Sequence, residues 1–291
     1  MLKSKPILAV CYDFDKTLSP DNMQAQGYIQ SLNVDTDAFW KESDKLASEN
    51  EMDSNLAYML LMVRKSKGKF YVTKDKLKEY GSKVKLYEGV GDWFKRINEY
   101  GAQKGVLVEH YIISSGLKEM IEGTEIADEF KKIYASSFYY GESGDAEWPA
   151  QAINFTNKTQ FLFRIEKGCL GINDKSVNDY IKPSEIRVPF RNMVYIGDSE
   201  TDIPCMKLVN SYGGYSIGVY DPVSMDKSRV YEMMNQNRIR YFAKADYSCG
   251  SEMDILLKNI IDKTVASEKI EKSFFSNKAE AEEFKKCILA R

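Results

Sequence analysis

The chain is predicted to be an α/β protein with a central, mostly parallel sheet and a smaller helical unit inserted near its start. Three observations carry this. From Tyr87 onward, short apolar runs alternate with segments of helical period, the pattern of successive βαβ units. Before it, after Pro20, more than sixty residues read as helix after helix with no strand-like run until Phe70 to Val72. A first apolar run, Ile7 to Tyr12, precedes both and ends on two carboxylates, Asp13 and Asp15. With 291 residues, a core domain plus a smaller one is the natural expectation.

Ile7 to Tyr12 has no helical period and suits a strand buried on both faces. With Phe14 between them, Asp13 and Asp15 leave the sheet on one side of the chain. Two like charges there require a divalent cation or a shared proton as compensation. Hard metals favour such oxygens, and open α/β sheets hold ligands at the carboxyl ends of their strands. A plain turn or helix cap is the bland alternative for these five residues alone.

In the helical unit, Asp21 is expected to cap a helix to about Leu32. A second helix runs from near Thr36 to just before Asn50, and a third starts at Asp53 with Leu56, Met59, Leu60 and Val63 at helical spacing. Thr73 caps a short fourth containing Leu77 and Tyr80. Met52, Tyr58, Met59, Met62, Phe70 and Tyr71 form a stripe that reads as bundle core rather than a substrate pocket.

Downstream, Gly89 to Glu99 reads as helix, Val106 to Ile113 as strand, Leu117 to Phe130 as largely helix and Ile133 to Ser137 as strand. Turn residues at 139–144 imply a hairpin whose second arm is Ala150 to Phe155. Asn157 is then expected to cap a helix to Lys167. A helix at Ser176 to Ile181, a strand at Met193 to Ile196, a helix to about Val209 and a strand at Tyr215 to Val219 follow. Ser224 to Asn235 is helical, Tyr241 to Ala243 strand-like and Glu252 to Val265 helical. The charged tail after Ala266 reads as helix, with Phe274, Phe275 and Phe284 available to dock it.

Bulk properties narrow the function. Hydrophobic residues make up 43% of the chain, charged residues 29%, and the net charge is -2, so no basic excess exists to neutralise nucleic acid or an anionic membrane. Cys11, Cys169, Cys205, Cys249 and Cys287 are widely spaced with no Cys-x-x-Cys pair, and read as reduced packing residues. Lys3 and Lys5 before the first apolar run resemble a signal peptide only superficially, because that run is short and ends in acids. No run reaches the roughly 20 apolar residues that span a bilayer. A cytoplasmic location is the expectation.

Strand ends bearing Asp13 and Asp15, Ser114 and Ser115, and Asp198 with Asp202, together with the region before Lys158, are expected to converge over one small ligand. In this order they resemble the motifs of the haloacid dehalogenase-like hydrolase superfamily, in its phosphatase branch. Asp13-Phe-Asp-Lys-Thr17 is similar to the first motif, Ile112-Ile-Ser-Ser-Gly116 to the second, Lys158 in Asn-Lys-Thr to the third and Gly197-Asp-Ser-Glu-Thr-Asp202 to the fourth. The resemblance implies a Rossmann-like three-layer core, 1–20 and 87–291, and makes 21–86 a helical cap of the first type, as in phosphoserine phosphatase-like members.

It further implies magnesium-dependent hydrolysis of a small phosphorylated metabolite. Asp13 would be the nucleophile, forming an aspartyl-phosphate, and Asp15 the general acid and base with its backbone carbonyl on the metal. Lys158 and Ser114 would bind phosphate and Thr17 would orient the loop. Asp198 would ligate the metal, and Asp202 would ligate it or orient it. Ser115 competes with Ser114, and Lys167 with Lys158. His110 lies within a strand and reads as structural. Lys16 stands where many relatives carry Gly. A dehalogenase needs no second aspartate, so Asp15 favours phosphate esters. A phosphotransferase or phosphomutase would keep the same residues, while a non-catalytic phosphate-binding module would not need Asp15.

Overall fold

The computed structural model describes residues 5–289, with side chains to residue 286; Lys3 and the Cys287 side chain lie outside the described residues. In chain order, β1 is Ile7–Tyr12, followed by α1 (Tyr28–Ser31), α2 (Thr36–Glu49), α3 (Ser54–Ser66) and α4 (Lys74–Gly81). Then come α5 (Val90–Lys104), β2 (Leu107–Leu117), α6 (Lys118–Ile121), β3 (Lys132–Tyr140), β4 (Ala146–Gln151) and α7 (Thr159–Lys167). β5 (Met193–Gly197), α8 (Ile203–Ser211), β6 (Tyr215–Tyr220), α9 (Ser228–Asn235), β7 (Tyr241–Lys244) and α10 (Glu252–Leu289) complete the chain.

One seven-stranded sheet has the order β4-β3-β2-β1-β5-β6-β7, parallel except for β4 at its edge. The fold is therefore α/β and Rossmann-like, as expected. β1 is central because both its faces are apolar. Leu8, Val10 and Tyr12 join one core cluster with Trp93 and Phe94, while Ala9 and Cys11 join the other with Phe161, Leu162 and Met206. The chain builds β2, β3 and β4 on one side of β1 and then crosses to β5 on the other. The carboxyl ends of β1 and β5 thus flank the topological switch point, where such sheets open a crevice.

The segment 21–86 is helical, and its apolar residues, including Phe39, Met59 and Met62, join the same cluster as Val10 and Tyr12. α2, α3 and α4 start where expected, each on a side-chain cap: Asp35 for α2, Asp53 for α3 and Thr73 for α4. The helix expected from Asp21 does not form as one piece. Gly27 adopts φ +139°, which L side chains rarely reach, and splits it into a 3-10 turn at Met23–Ala25 and the single turn of α1.

Other differences have local causes. Phe70 to Val72 forms no strand, although the Val72 carbonyl accepts a hydrogen bond from Ala146 N at 2.8 Å. β2 runs past Ile113 to Leu117, with a register irregularity against β3 after Ser114. The helix expected over Leu117 to Phe130 stops at Ile121, because Gly123 sits so tightly on the Lys78 carbonyl that a Cβ there would lie 2.1 Å from its oxygen. The hairpin's second arm begins at Ala146 and contains Pro149, which an edge strand tolerates.

Ser176 to Ile181 yields only a 3-10 turn at Lys175–Asn178. The C-terminal helix continues unbroken from Glu252 to Leu289, and Phe274 and Phe284 stay exposed rather than docking it. Cys11, Cys169 and Cys205 are buried and unpaired as expected, but Cys249 is exposed. Of the helical stripe, Tyr58, Met59 and Met62 are core, whereas Tyr71 is 76% exposed. No described helix is long and apolar enough to cross a membrane.

Candidate active site

Asp13 follows β1 directly, and its N–H donates to the Ile196 carbonyl of β5 at 2.9 Å, so the β1–β5 pairing itself sets its position. The carboxylate continues the Ala9 and Cys11 side of the strand toward the turn that precedes α7. That turn, Phe155–Lys158, is 3-10, and its cap is Asn154 rather than Asn157: Asn154 Oδ1 accepts from Phe155 N, while Asn157 Oδ1 accepts from Asn154 N at 2.7 Å. The shift places Lys158 at the start of α7, fully buried, with its chain aimed under β1.

Lys158 Nζ donates to Asp13 Oδ1 at 3.1 Å and to Asp202 Oδ1 at 2.7 Å. Asp202 is buried and occupied on both oxygens, because Oδ1 also accepts from Tyr195 OH at 2.8 Å and Oδ2 accepts from Ser199 N and Oγ at 3.1 Å each. Asp13, Asp198 and Asp202 offer carboxylate oxygens within 4.8 Å of one another. Among the described residues Lys158 is the ammonium hydrogen-bonded inside this group, and the Arg229 guanidinium adds a further positive charge that acts on Asp198, so the carboxylates still outnumber the cations.

The electrostatics follow from that imbalance. Burial opposes the Lys158 charge, yet the two carboxylates prevail and raise its pKa. Asp13 is pushed up to about 6, by burial and by Asp202, against the downward pull of Lys158. Asp198 lies well above the usual carboxylate range, through burial and the charges of Asp202 and Asp13. Asp15 is pushed up to about 8, by burial first and by Asp13 second.

Asp15 Oδ1 is held by Met23 N at 2.8 Å, so the start of the helical segment orients it. Its Oδ2 lies beside Gly116, where a Cβ would come within 2.9 Å of that oxygen and 2.5 Å of Met23 Cε, so a side chain there would displace the Met23 methyl and crowd the Asp15 carboxylate. Lys16 has φ +57°, the left-handed conformation glycine favours, so this chain keeps the loop shape of a glycine with a lysine in place. Ser114 is buried and its Oγ accepts from Gly116 N at 3.0 Å, which leaves its own hydrogen free to donate. Thr17 Oγ1 and Ser115 Oγ are buried without a hydrogen-bond partner among the described residues. The Thr17 carbonyl accepts from Tyr247 OH at 2.8 Å.

The rival residues fall elsewhere. Lys167 Nζ donates to the carbonyls of Val177 and Asp179 and staples the loop after α7. His110 is buried between Tyr12 OH, 3.0 Å from Nδ1, and Asn98 Oδ1, 3.1 Å from Nε2, and burial lowers its pKa to about 3. The sequence alone did not single out Tyr195, Met23 or Asn154, and it gave Gly116 only as the last residue of the second motif. Tyr195 carried one signal, a hydroxyl in an otherwise apolar strand two residues before Gly197.

Acids, a buried lysine and a serine thus gather at the switch point of the sheet, where open α/β sheets bind their ligands. A family model for haloacid dehalogenase-like hydrolases matches residues 10–207, and the chain belongs to that family. A solved HAD family hydrolase from Salmonella enterica subsp. enterica serovar Typhi shares the fold with a TM-score of 0.57 at 16% identity, over 88% of this chain and 72% of that one. The unliganded probable phosphoserine phosphatase from Vibrio cholerae gives 0.55 at 11% identity, over 91% and 67%. An uncharacterized protein from Borreliella burgdorferi is 26% identical over 278 residues, 87% of this chain and 96% of its own length.

Proposed function

We propose that the protein is a magnesium-dependent phosphatase that hydrolyses a small phosphomonoester through an aspartyl-phosphate on Asp13. The observation that supports this best is the pairing of Asp13 with buried Lys158, beside a second carboxyl, Asp15, held largely protonated near neutral pH. Burial raises both carboxyls, but the pull of Lys158 holds Asp13 at about 6 while Asp15 rises to about 8, so near neutral pH Asp13 keeps more of its charge and Asp15 more of its proton.

The residues fit a hard divalent cation. Three clustered carboxylates with one ammonium leave an excess negative charge that a dication would neutralise, and all the donors are oxygens. Asp13, Asp198 and the Asp15 backbone carbonyl would hold it. Asp202, already bonded to Lys158, Tyr195 and Ser199, would hold Lys158 in place. When bound, the cation shields the phosphoryl charge from the attacking carboxylate.

Asp13 attacks phosphorus in line, while the Lys158 ammonium and the free Ser114 hydrogen bind phosphoryl oxygens. Asp15 gives its proton to the leaving alkoxide and then takes one from the water that cleaves the aspartyl-phosphate. Residues 21–86 act as a helical cap over the leaving group. A soluble phosphorylated metabolite and a cytoplasmic setting are part of the same reading.

Phosphate release from a panel of phosphorylated metabolites, with and without magnesium, tests it. Release that needs magnesium upholds the reading, and none across the panel overturns it. Transfer of the phosphoryl group to an alcohol or sugar in that panel would make the protein a phosphotransferase instead.

Asp15→Asn should lower turnover of an alkyl phosphate by about 10²- to 10⁴-fold. The loss should be smaller with p-nitrophenyl phosphate, whose leaving group needs no proton. The same variant should be more stable than the wild type in metal-free buffer. A carboxyl raised to about 8 in the fold contributes stability below its unfolded value near 4, and that contribution fades as pH rises toward 8. Melting curves at pH 5 and pH 8 check the sign: the advantage of Asn grows with pH, whereas a flat difference would mean that Asp15 ionises freely in the fold.

A further inference from the structure

The helical segment reaches the sheet through buried polar contacts, and these converge on the first turns of α3. Asn55 and Tyr58, three residues apart on one face of the helix, are 6% and 5% exposed. Asn55 Nδ2 donates to the Ile153 carbonyl at 2.5 Å and lies 3.4 Å from both the Ser115 carbonyl and Ser136 Oγ. Tyr58 OH donates to the same Ser115 carbonyl at 2.9 Å. Ser136 Oγ in turn accepts from Ile153 N at 3.0 Å, and Asn154 Nδ2 donates to Ser54 Oγ at 2.9 Å.

The carbonyl partners belong to two segments that carry proposed phosphate-binding groups, the C-terminal end of β2 and the approach to the 3-10 turn before α7. Ser115 lies between Ser114 and Gly116, whose N–H is bonded to Ser114 Oγ. Ile153 and Asn154 lead into the 3-10 turn that ends on Lys158. The two segments lie at different strand ends and are separated by some forty residues of chain, so local sequence does not set their spacing. An apolar contact between α3 and the sheet would tolerate sliding. Directional bonds to buried carbonyls do not, since each broken bond strands a desolvated polar group.

We propose that α3 is a strap, with Asn55 and Tyr58 as positioning residues that set the Ser114–Gly116 end of β2 against the Asn154–Lys158 turn. The phosphate-binding geometry is then complete only with the helical segment seated. This rests on the phosphatase reading above for its catalytic consequence, but not for its structural one.

The test uses the full-length chain with Tyr58→Phe, which removes only a hydroxyl, with Asn55→Ala, and with Leu60→Ala on another face of α3 as control. Amide hydrogen exchange is followed over residues 113–117 and 152–158 without ligand, and kinetics are run with magnesium and p-nitrophenyl phosphate. In both strap variants, exchange should quicken in the two segments together, by about threefold or more. Turnover should fall about tenfold with KM within twofold, and inhibition by orthovanadate should weaken by the same factor. Leu60→Ala should do neither.

Faster exchange confined to α3, or an unchanged kcat in both strap variants, overturns the proposal. If the wild type releases no phosphate, the phosphatase reading falls and exchange alone decides the strap. Joint loosening of the two segments then upholds it, and loosening of α3 alone overturns it.

Discussion

Asp13→Asn is expected to abolish phosphate release, by about four to six orders of magnitude, while the protein stays folded. The amide keeps the size of the carboxyl and can still lie against Lys158, but it cannot form the acyl-phosphate. Removing one of three clustered carboxylates also relieves repulsion, so the melting temperature should hold or rise. Incubation with a substrate carrying labelled phosphate should leave label on the wild-type chain after rapid acid quench and none on the variant. Turnover within tenfold of wild type would remove Asp13 as the nucleophile.

Lys158→Met is expected to damage both activity and stability. Its ammonium is fully buried between Asp13 and Asp202, and deleting one side of a buried charge cluster costs about 3–5 kcal/mol, because the remaining carboxylates lose their compensation. Asp13 and Asp198 are already held above the usual range, and without the lysine they rise further. Raised carboxyls contribute stability at low pH and lose it as pH rises, so the variant's deficit should be larger at pH 8 than at pH 5. Magnesium should recover part of the lost stability at pH 8 by supplying positive charge. Turnover should fall by about 10²- to 10³-fold even with magnesium, since a donor to the phosphoryl oxygens is gone. An unchanged melting temperature at pH 8 would show that the cluster does not depend on its lysine.

These two residues also mark how differently parts of the site could be read from sequence. Asp13 is legible because an apolar run of period-two geometry ends on it, and strand ends are where parallel sheets meet ligands. Lys158 is legible only through its resemblance to a motif and its place at the start of a predicted helix, with Lys167 at the far end of the same helix. The cap on Asn154, three residues earlier than expected, turns the helix start so that Lys158 points under β1, while Lys167 faces the following loop.

Ser114 and Ser115 were equally available by composition, and the irregularity of β2 after Ser114 separates them. Ser114 Oγ is engaged by Gly116 N, whereas the Ser115 hydroxyl has no partner among the described residues and its carbonyl is gripped by α3. Asp202 is similar. Its spacing from Asp198 predicted a shared role, but only the surrounding strands show both oxygens already occupied by Lys158, Tyr195 and Ser199.

By itself the sequence determined the α/β class, a first strand apolar on both faces, three of the four helices in the segment 21–86, and the residue types that meet at the candidate site. Those follow from periodicity, capping and motif order, which are local. The tertiary structure decided what depends on approach between distant segments: the break at Gly27, the close seat of Gly123 on Lys78, and the engagement of Asp202. It also decided the hold of Asn55 and Tyr58 on a carbonyl some sixty residues away. A hydrogen bond across that separation leaves no trace in the period of either segment, because it depends on how the sheet and the helices pack and not on what each would do alone.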